Sequence, residues 1–271
     1  MIVAQWQLDP ILIGGILTLA LCYGLAVGPL RHRLAPGRSL PRRQIGLFSS
    51  GLILLYLAEG SPLHDYAERY LLSAHMFQHL LISYLVPVLW LLGTPDWVLR
   101  PLLTHRWVKP VAKTLTQPVV AFLLFSLLFS IWHLPVLYEP ALRNSLVHHS
   151  EHVVLIAISL LMWWPLLSPL PELPRLSYGG QLVYLFLLPI IQIIAFAFIT
   201  FADHVIYAPY AAAPRVLGLS PLQDQAIAGA IMKIGGIIAF GTAFIVVFFR
   251  WYQNEVGSRY KPKSTKLPAE S

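Results

Sequence analysis

His75 and His79 stand four residues apart in an apolar run from Leu71 to Leu92, and His148 and His152 repeat that spacing in a second run from Val147 to Leu167. At helical period, positions i and i+4 lie on one face about a turn apart. Each pair can therefore aim two ring nitrogens at one centre, and imidazole is the common protein ligand for copper, zinc and iron. Met76 and Met232 add thioethers of the kind that suit Cu(I), although both serve equally well as packing residues. Met232 shares a helix face with Gln225 and Gly229, whereas Met76 is turned about 100° from His75. Taken singly, His133 and His204 read as hydrogen-bonded structural groups; four histidines in two matched pairs favour metal binding. Glu151, Asp203, Asp224 and Gln225 stand near these histidines or open a helix. The carboxylates either orient ligand imidazoles from behind or cap helices, whose N-termini favour anions. His149 faces the same cavity or flanks it, and His64 reads as solvated or supporting.

Membrane helices must position these groups. Of 271 residues, 57% are hydrophobic and 11% charged, against roughly a quarter charged in soluble domains. The formal charge of +7 comes from Lys and Arg clustered between apolar runs, a distribution that fits membrane topology and excludes nucleic acid as the partner. A lone cysteine, Cys22, rules out a disulfide within the chain and any CxxC metal site. Seven apolar segments can be marked: about Ile11–Leu30, Gln44–Leu57, Leu71–Leu92, Pro118–Tyr138, Val147–Leu167, Gly179–Phe201 and Gln225–Trp251. The first has no basic region before it and is long enough to span, so it reads as a retained helix and not a cleaved signal peptide. No strand-like alternation is sustained, which argues against a barrel. The expectation is an all-α membrane protein: one bundle of seven transmembrane helices over residues 1–256, then a basic, disordered cytoplasmic tail over 257–271.

Fifteen of the 19 Lys and Arg residues fall after the first, third and fifth segments or in the tail, against Arg69, Arg143 and Arg215 on the other side. The positive-inside rule puts the N-terminus outside and the C-terminus in the cytoplasm. With that topology His32 and His105 are cytoplasmic. His64, His75, His79, His133, His148, His149, His152 and His204 lie at the outer side together with Asp224, so five helices deliver imidazoles or carboxylates to one leaflet of the bilayer. Lys233 lies within the seventh segment, on the side of the helix away from Asp224, and reads as paired with Glu59 or with backbone carbonyls. A retinal aldimine there is disfavoured, because the third segment offers no carboxylate counter-ion.

The run Ser73-Ala74-His75-Met76 with Gln78-His79-Leu80-Leu81 resembles a block of the seven-helix CtaG-type cytochrome c oxidase assembly factors, which are distinct from the single-span copper chaperones that share that name. Trp132-His133-Leu134-Pro135 with Tyr138, Glu151-His152 with Trp163-Trp164-Pro165-Leu166, and Asp224-Gln225 with Gly229, Ile231 and Met232 resemble further blocks in the same order. Carried over by position, the pattern residues are His75, His79, His133, Glu151, His152, Asp224 and Gln225. The resemblance implies a multi-pass protein of the bacterial plasma membrane, required to make active oxidase through its copper centres. Expected partners are oxidase subunits and the lipid bilayer. The expected cargo is copper, with zinc or haem open, and no catalysis is expected. Two other readings stand beside it: a membrane metalloenzyme with a His-ligated metal pair or haem, and a metal-free scaffold for oxidase assembly.

Overall fold

A computed structural model describes residues 5–259, without the side chains of residues 194, 195 and 257–259. All regular elements among the described residues are helical. The principal ones are α1 (Pro10–Val27), α2 (Arg42–Glu59), α3 (Pro62–Arg69), α4 (Leu72–Gly93), α5 (Val108–Leu115), α6 (Pro118–Trp132), α7 (Pro135–Arg143), α8 (Ser145–Leu167), α9 (Tyr178–Thr200), α10 (Ala208–Ala212) and α11 (Pro221–Arg259). Their starts follow from local chemistry. Asp9, Ser61, Asn144 and Ser177 each accept a backbone N–H in the first turn of α1, α3, α8 and α9, which satisfies donors that the helix leaves orphaned. Proline at the first helical position, as in α1, α3, α6 and α7, has its torsion already set for a helix.

Among the described residues, five helices, α1, α4, α8, α9 and α11, are long and apolar enough to cross a membrane; α2 with α3 (bent 44°) and α5 with α6 (bent 72°) raise the count to as many as seven if each bent pair is one span. The reason is length and charge. The 15 residues of α6 reach roughly 22 Å, short of a hydrocarbon core of about 30 Å, and α2 carries Arg42, Arg43 and Glu59 at its ends. The fourth apolar segment, expected to run to Tyr138, stops at Trp132 because Pro135 starts a separate helix. The last helix reaches Arg259, so residues 257–259 of the expected tail are helical, and 260–271 lie outside the described residues.

Polarity is inverted relative to a water-soluble bundle. Leu21, Ile53, Val119, Leu127, Val153, Phe186, Ile238 and Phe249 face outward, while Glu59, His75, Gln78, His79, Glu151, His152 and Asp224 are buried. Lipid tolerates the first group, and helix neighbours must satisfy the second. Between them α4 is the hub: its first half packs on α11, its second half on α2, and α8 runs alongside. A π-helical turn, Leu81–Leu85, divides the two halves. The α2–α4 approach is close. Gly93 sits against the Phe48 backbone, where a Cβ would lie 2.5 Å from the amide nitrogen, and the Gly93 carbonyl accepts the Tyr23 hydroxyl at 2.7 Å. Gly93→Val should therefore lower stability by about 1–3 kcal/mol, read as denaturant unfolding in detergent. Wild-type stability in this variant would refute the close contact.

Candidate metal centre

Most of the buried polar side chains gather where α2 and α6 end and α4, α8 and α11 begin. Leu71 precedes α4 and cannot cap it. Asp224, in the first turn of α11, does so instead: one carboxylate oxygen accepts the Leu72 amide at 2.7 Å, and the other accepts the Ser73 amide at 3.2 Å and the Ser73 hydroxyl. The turn carrying His75 and His79 is thus tied to α11. Asn144 fixes the first turn of α8, which carries His148, Glu151 and His152, by accepting the Leu146 and Val147 amides.

Three imidazole nitrogens converge. Nε2 of His79 lies 2.9 Å from Nε2 of His75 and 3.2 Å from Nε2 of His152, and 3.6 Å from a carboxylate oxygen of Glu151. One ligand atom from each of His75, His79, Glu151 and His152 falls within 4.8 Å of all the others. Tetrahedral coordination with bonds of about 2.0–2.1 Å separates ligand atoms by roughly 3.3 Å, so this spacing fits one small ion. The hydrogen-bond inventory agrees. A neutral imidazole has one donor and one acceptor nitrogen, so a single His79 nitrogen cannot satisfy two neighbouring Nε2 atoms. Nδ1 of His79, both oxygens of Glu151, both ring nitrogens of His148 and Nε2 of His133 are buried without a hydrogen bond. Orphaned buried groups are costly, and a cation would engage the acceptors among them.

Neighbouring groups orient the rings. Glu59, the last residue of α2, lies 2.5 Å from Nδ1 of His152. Glu68 of α3 lies 3.3 Å from Nδ1 of both His75 and His148, and the amide of Gln78 lies 3.1 Å from Nδ1 of His64. Tyr210 donates to the Ala67 carbonyl at 2.6 Å and stands 3.4 Å from Nδ1 of His75. Burial holds its phenol well above the ordinary range, so it remains a neutral hydrogen-bonding group. Tyr207 donates to the His133 carbonyl at 2.6 Å. His133 packs its ring 5.5 Å from that of His79, with Nδ1 at 2.6 Å from the Phe129 carbonyl.

The cluster therefore unites His75, His79 and His152, with His148 and His133 beside them. Glu151, expected behind the ligands, stands among them. His204 does not join: its side chain is 74% exposed and pairs at 2.7 Å with Asp203, itself 97% exposed. The hydrogen bond from His204 holds the Asp203 carboxyl below its usual range. The chain has left α9 at Thr200, and Gln225 grips only the backbone of this loop, donating to the His204 carbonyl at 3.1 Å and accepting the Ile206 amide at 2.7 Å. His149 turns away to Asp9, at 3.1 Å. Burial alone would raise the Asp9 carboxyl, but the Leu12 amide and His149 bring it below its usual value. Met76 and Met232 are fully buried in the hydrophobic core. Asp224 caps a helix, but α4 and not its own. Lys233 donates at 3.0 Å to the Pro189 carbonyl, beside the break in α9, leaving Glu59 to His152. Sequence reasoning did not place Glu59 or Glu68 at the cluster. Glu59 was visible as the carboxylate that ends an otherwise apolar segment. Glu68 stands before His75 across the break between α3 and α4, and nothing local marks it.

Residues 21–254 match the cytochrome c oxidase caa3 assembly factor family, a span that holds every member of the cluster. The chain belongs to this family. Among curated proteins, this chain is similar to uncharacterised proteins of Mycobacterium tuberculosis (24% identical over 200 residues, 68% of this chain and 30% of the relative) and Mycobacterium leprae (25% over 196 residues, 67% and 29%). The chain thus spans less than a third of the length of those relatives. No solved structure matches it significantly.

The Asp224 cap can be tested directly. Asp224→Ala leaves two amides and a hydroxyl of α4 buried without an acceptor, and should cost about 2–3 kcal/mol. Asp224→Asn keeps one acceptor and should cost less. Equal helix unfolding in detergent for wild type and both variants would refute the cap.

Proposed function

We propose that this assembly factor binds copper in the His75–His79–Glu151–His152 cluster and delivers it to cytochrome c oxidase at the extracytoplasmic face of the bacterial plasma membrane. The observation that carries the reading is the convergence of three Nε2 atoms on a buried carboxylate, with ligand-type atoms left unpartnered around them, in a chain of an oxidase assembly family. Counting each bent pair as one span gives seven spans. The excess of Lys and Arg in alternate connections then turns the cluster end outward.

Donor chemistry supports a carrier. Imidazole and carboxylate form exchangeable bonds to copper, unlike a closed thiolate cage, and a protein that passes its ion on needs ligands that let go. Glu151 in the set makes the site suit a divalent ion, so zinc is the competitor to copper. A haem held between two histidines needs their nitrogens on opposite sides of a wide macrocycle. Nitrogens 2.9 and 3.2 Å apart suit a single small ion better. No catalytic step is proposed; the chain's own residues bind, orient and exclude water.

Metal analysis of purified protein after copper loading tests the site. Wild type should retain copper in the inner cluster, and His75→Ala/His79→Ala should hold at least one equivalent less. Equal retention would sink the assignment. In cells lacking the protein, wild type should restore oxidase activity, added copper should restore part of it, and the double variant should not. Full support of oxidase by the variant that has lost its inner-cluster copper would establish the scaffold reading instead.

A further inference from the structure

The inner cluster is sealed: His75, His79 and Glu151 have no exposed side-chain surface, and His152 has almost none. An ion must reach it through other groups. Among the described residues, two further sets of ligand atoms lie within 4.8 Å of one another: Glu59, His148 and His152, and, nearer the surface, His64, Glu68 and His148. The outer trio shares no residue with the inner four. The middle trio takes His148 from the outer set and His152 from the inner one.

We propose that His64, Glu68 and His148 form a second cation site, which an ion occupies before it moves inward through Glu59, His148 and His152. This rests on the reading of the inner cluster as a cation site. Exposure is graded as an entry path requires: His64 and Glu68 are partly exposed, His148 is nearly buried, and the inner set is closed. Continuity is built in. Glu68 lies 3.3 Å from Nδ1 of His148, the His148 and His152 rings are 4.1 Å apart between centroids, and Glu59 reaches Nδ1 of His152 at 2.5 Å. One oxygen each of Glu59 and Glu68 and both nitrogens of His148 are buried without a hydrogen bond, so these groups keep ligand capacity.

Each set contains one carboxylate: Glu68 outside, Glu59 between, Glu151 inside. A divalent ion moving among apolar helices therefore keeps a compensating negative charge at every stage, and bare charge in such surroundings is strongly disfavoured. Because neighbouring sets share a histidine, a new ligand can bind before an old one leaves. Gln78 helps hold His64 in place from α4, the same helix that carries two inner ligands.

The test uses the full chain in detergent with Cu2+ as the probe, measuring stoichiometry by dialysis and uptake by rapid mixing. Wild type should bind two equivalents in a fast and a slow phase. His64→Ala/Glu68→Gln should bind one equivalent, loaded at least tenfold more slowly than either wild-type phase. His79→Ala/Glu151→Gln should also bind one, with the fast phase intact. Helix content and unfolding temperature report whether the variants are folded, and Glu68→Gln alone carries the outer-site test where the double variant is not. Two equivalents or wild-type uptake in the outer variant overturns the entry site while leaving the inner one standing. Loss of all copper from the inner variant also overturns a separate outer site. No copper in wild type removes the inner-site reading and this inference with it.

Discussion

The Asp224 carboxylate, set against the first turn of α4, is the contact on which the rest of the site depends. A helix that starts inside an apolar bundle has amide donors that neither water nor its own backbone can satisfy. Leu71 offers no acceptor, so the donors are met by a carboxylate 152 positions along the chain from Leu72. The same contact fixes the rotation and depth of α4. His75 and His79, one and two turns further on, inherit that position, and the three Nε2 atoms meet because α4 and α8 are each pinned at their first turn.

Pinning alone does not account for what is pinned. Imidazoles and carboxylates buried among hydrocarbon side chains are costly unless something compensates them. In this bundle several keep unused ligand atoms. Some polar groups elsewhere are closed off: Lys233 against the Pro189 carbonyl and Gln225 on the loop after α9. The unpartnered imidazole and carboxylate atoms are gathered around one set of helix ends, while those left elsewhere belong to Ser, Trp and Gln side chains. That contrast separates a site from ordinary internal hydrogen bonding, and it fits a family whose business is the assembly of a metalloenzyme.

Much of this was readable from sequence. The apolar segments, the i,i+4 histidine pairs and their common level all follow from local periodicity and charge placement, which depend on short stretches of chain. The second and fourth segments were harder. A helix ending in Glu59 and a 15-residue helix begun by Pro118 each carry too little apolar length to stand alone as spans, and both adjoin a bent partner. His204 shows the limit of arguing from depth. It lies at the expected end of the bundle, yet its loop turns the ring outward, because Gln225 holds that loop by its backbone.

By itself, then, the sequence determined the helical class, the pairing of His75 with His79 and of His148 with His152, and the family. These rest on spacing along one helix, where 3.6 residues per turn leaves no freedom. Only the tertiary structure decided which carboxylates reach which rings: Glu59 to His152, Glu68 to His75 and His148, Glu151 among the converging histidines and Asp224 as the cap of a helix not its own. Those pairings depend on how one helix is rotated against another. Rotation is settled by side-chain packing and by the demand that buried donors find acceptors, terms summed over residues far apart in the chain.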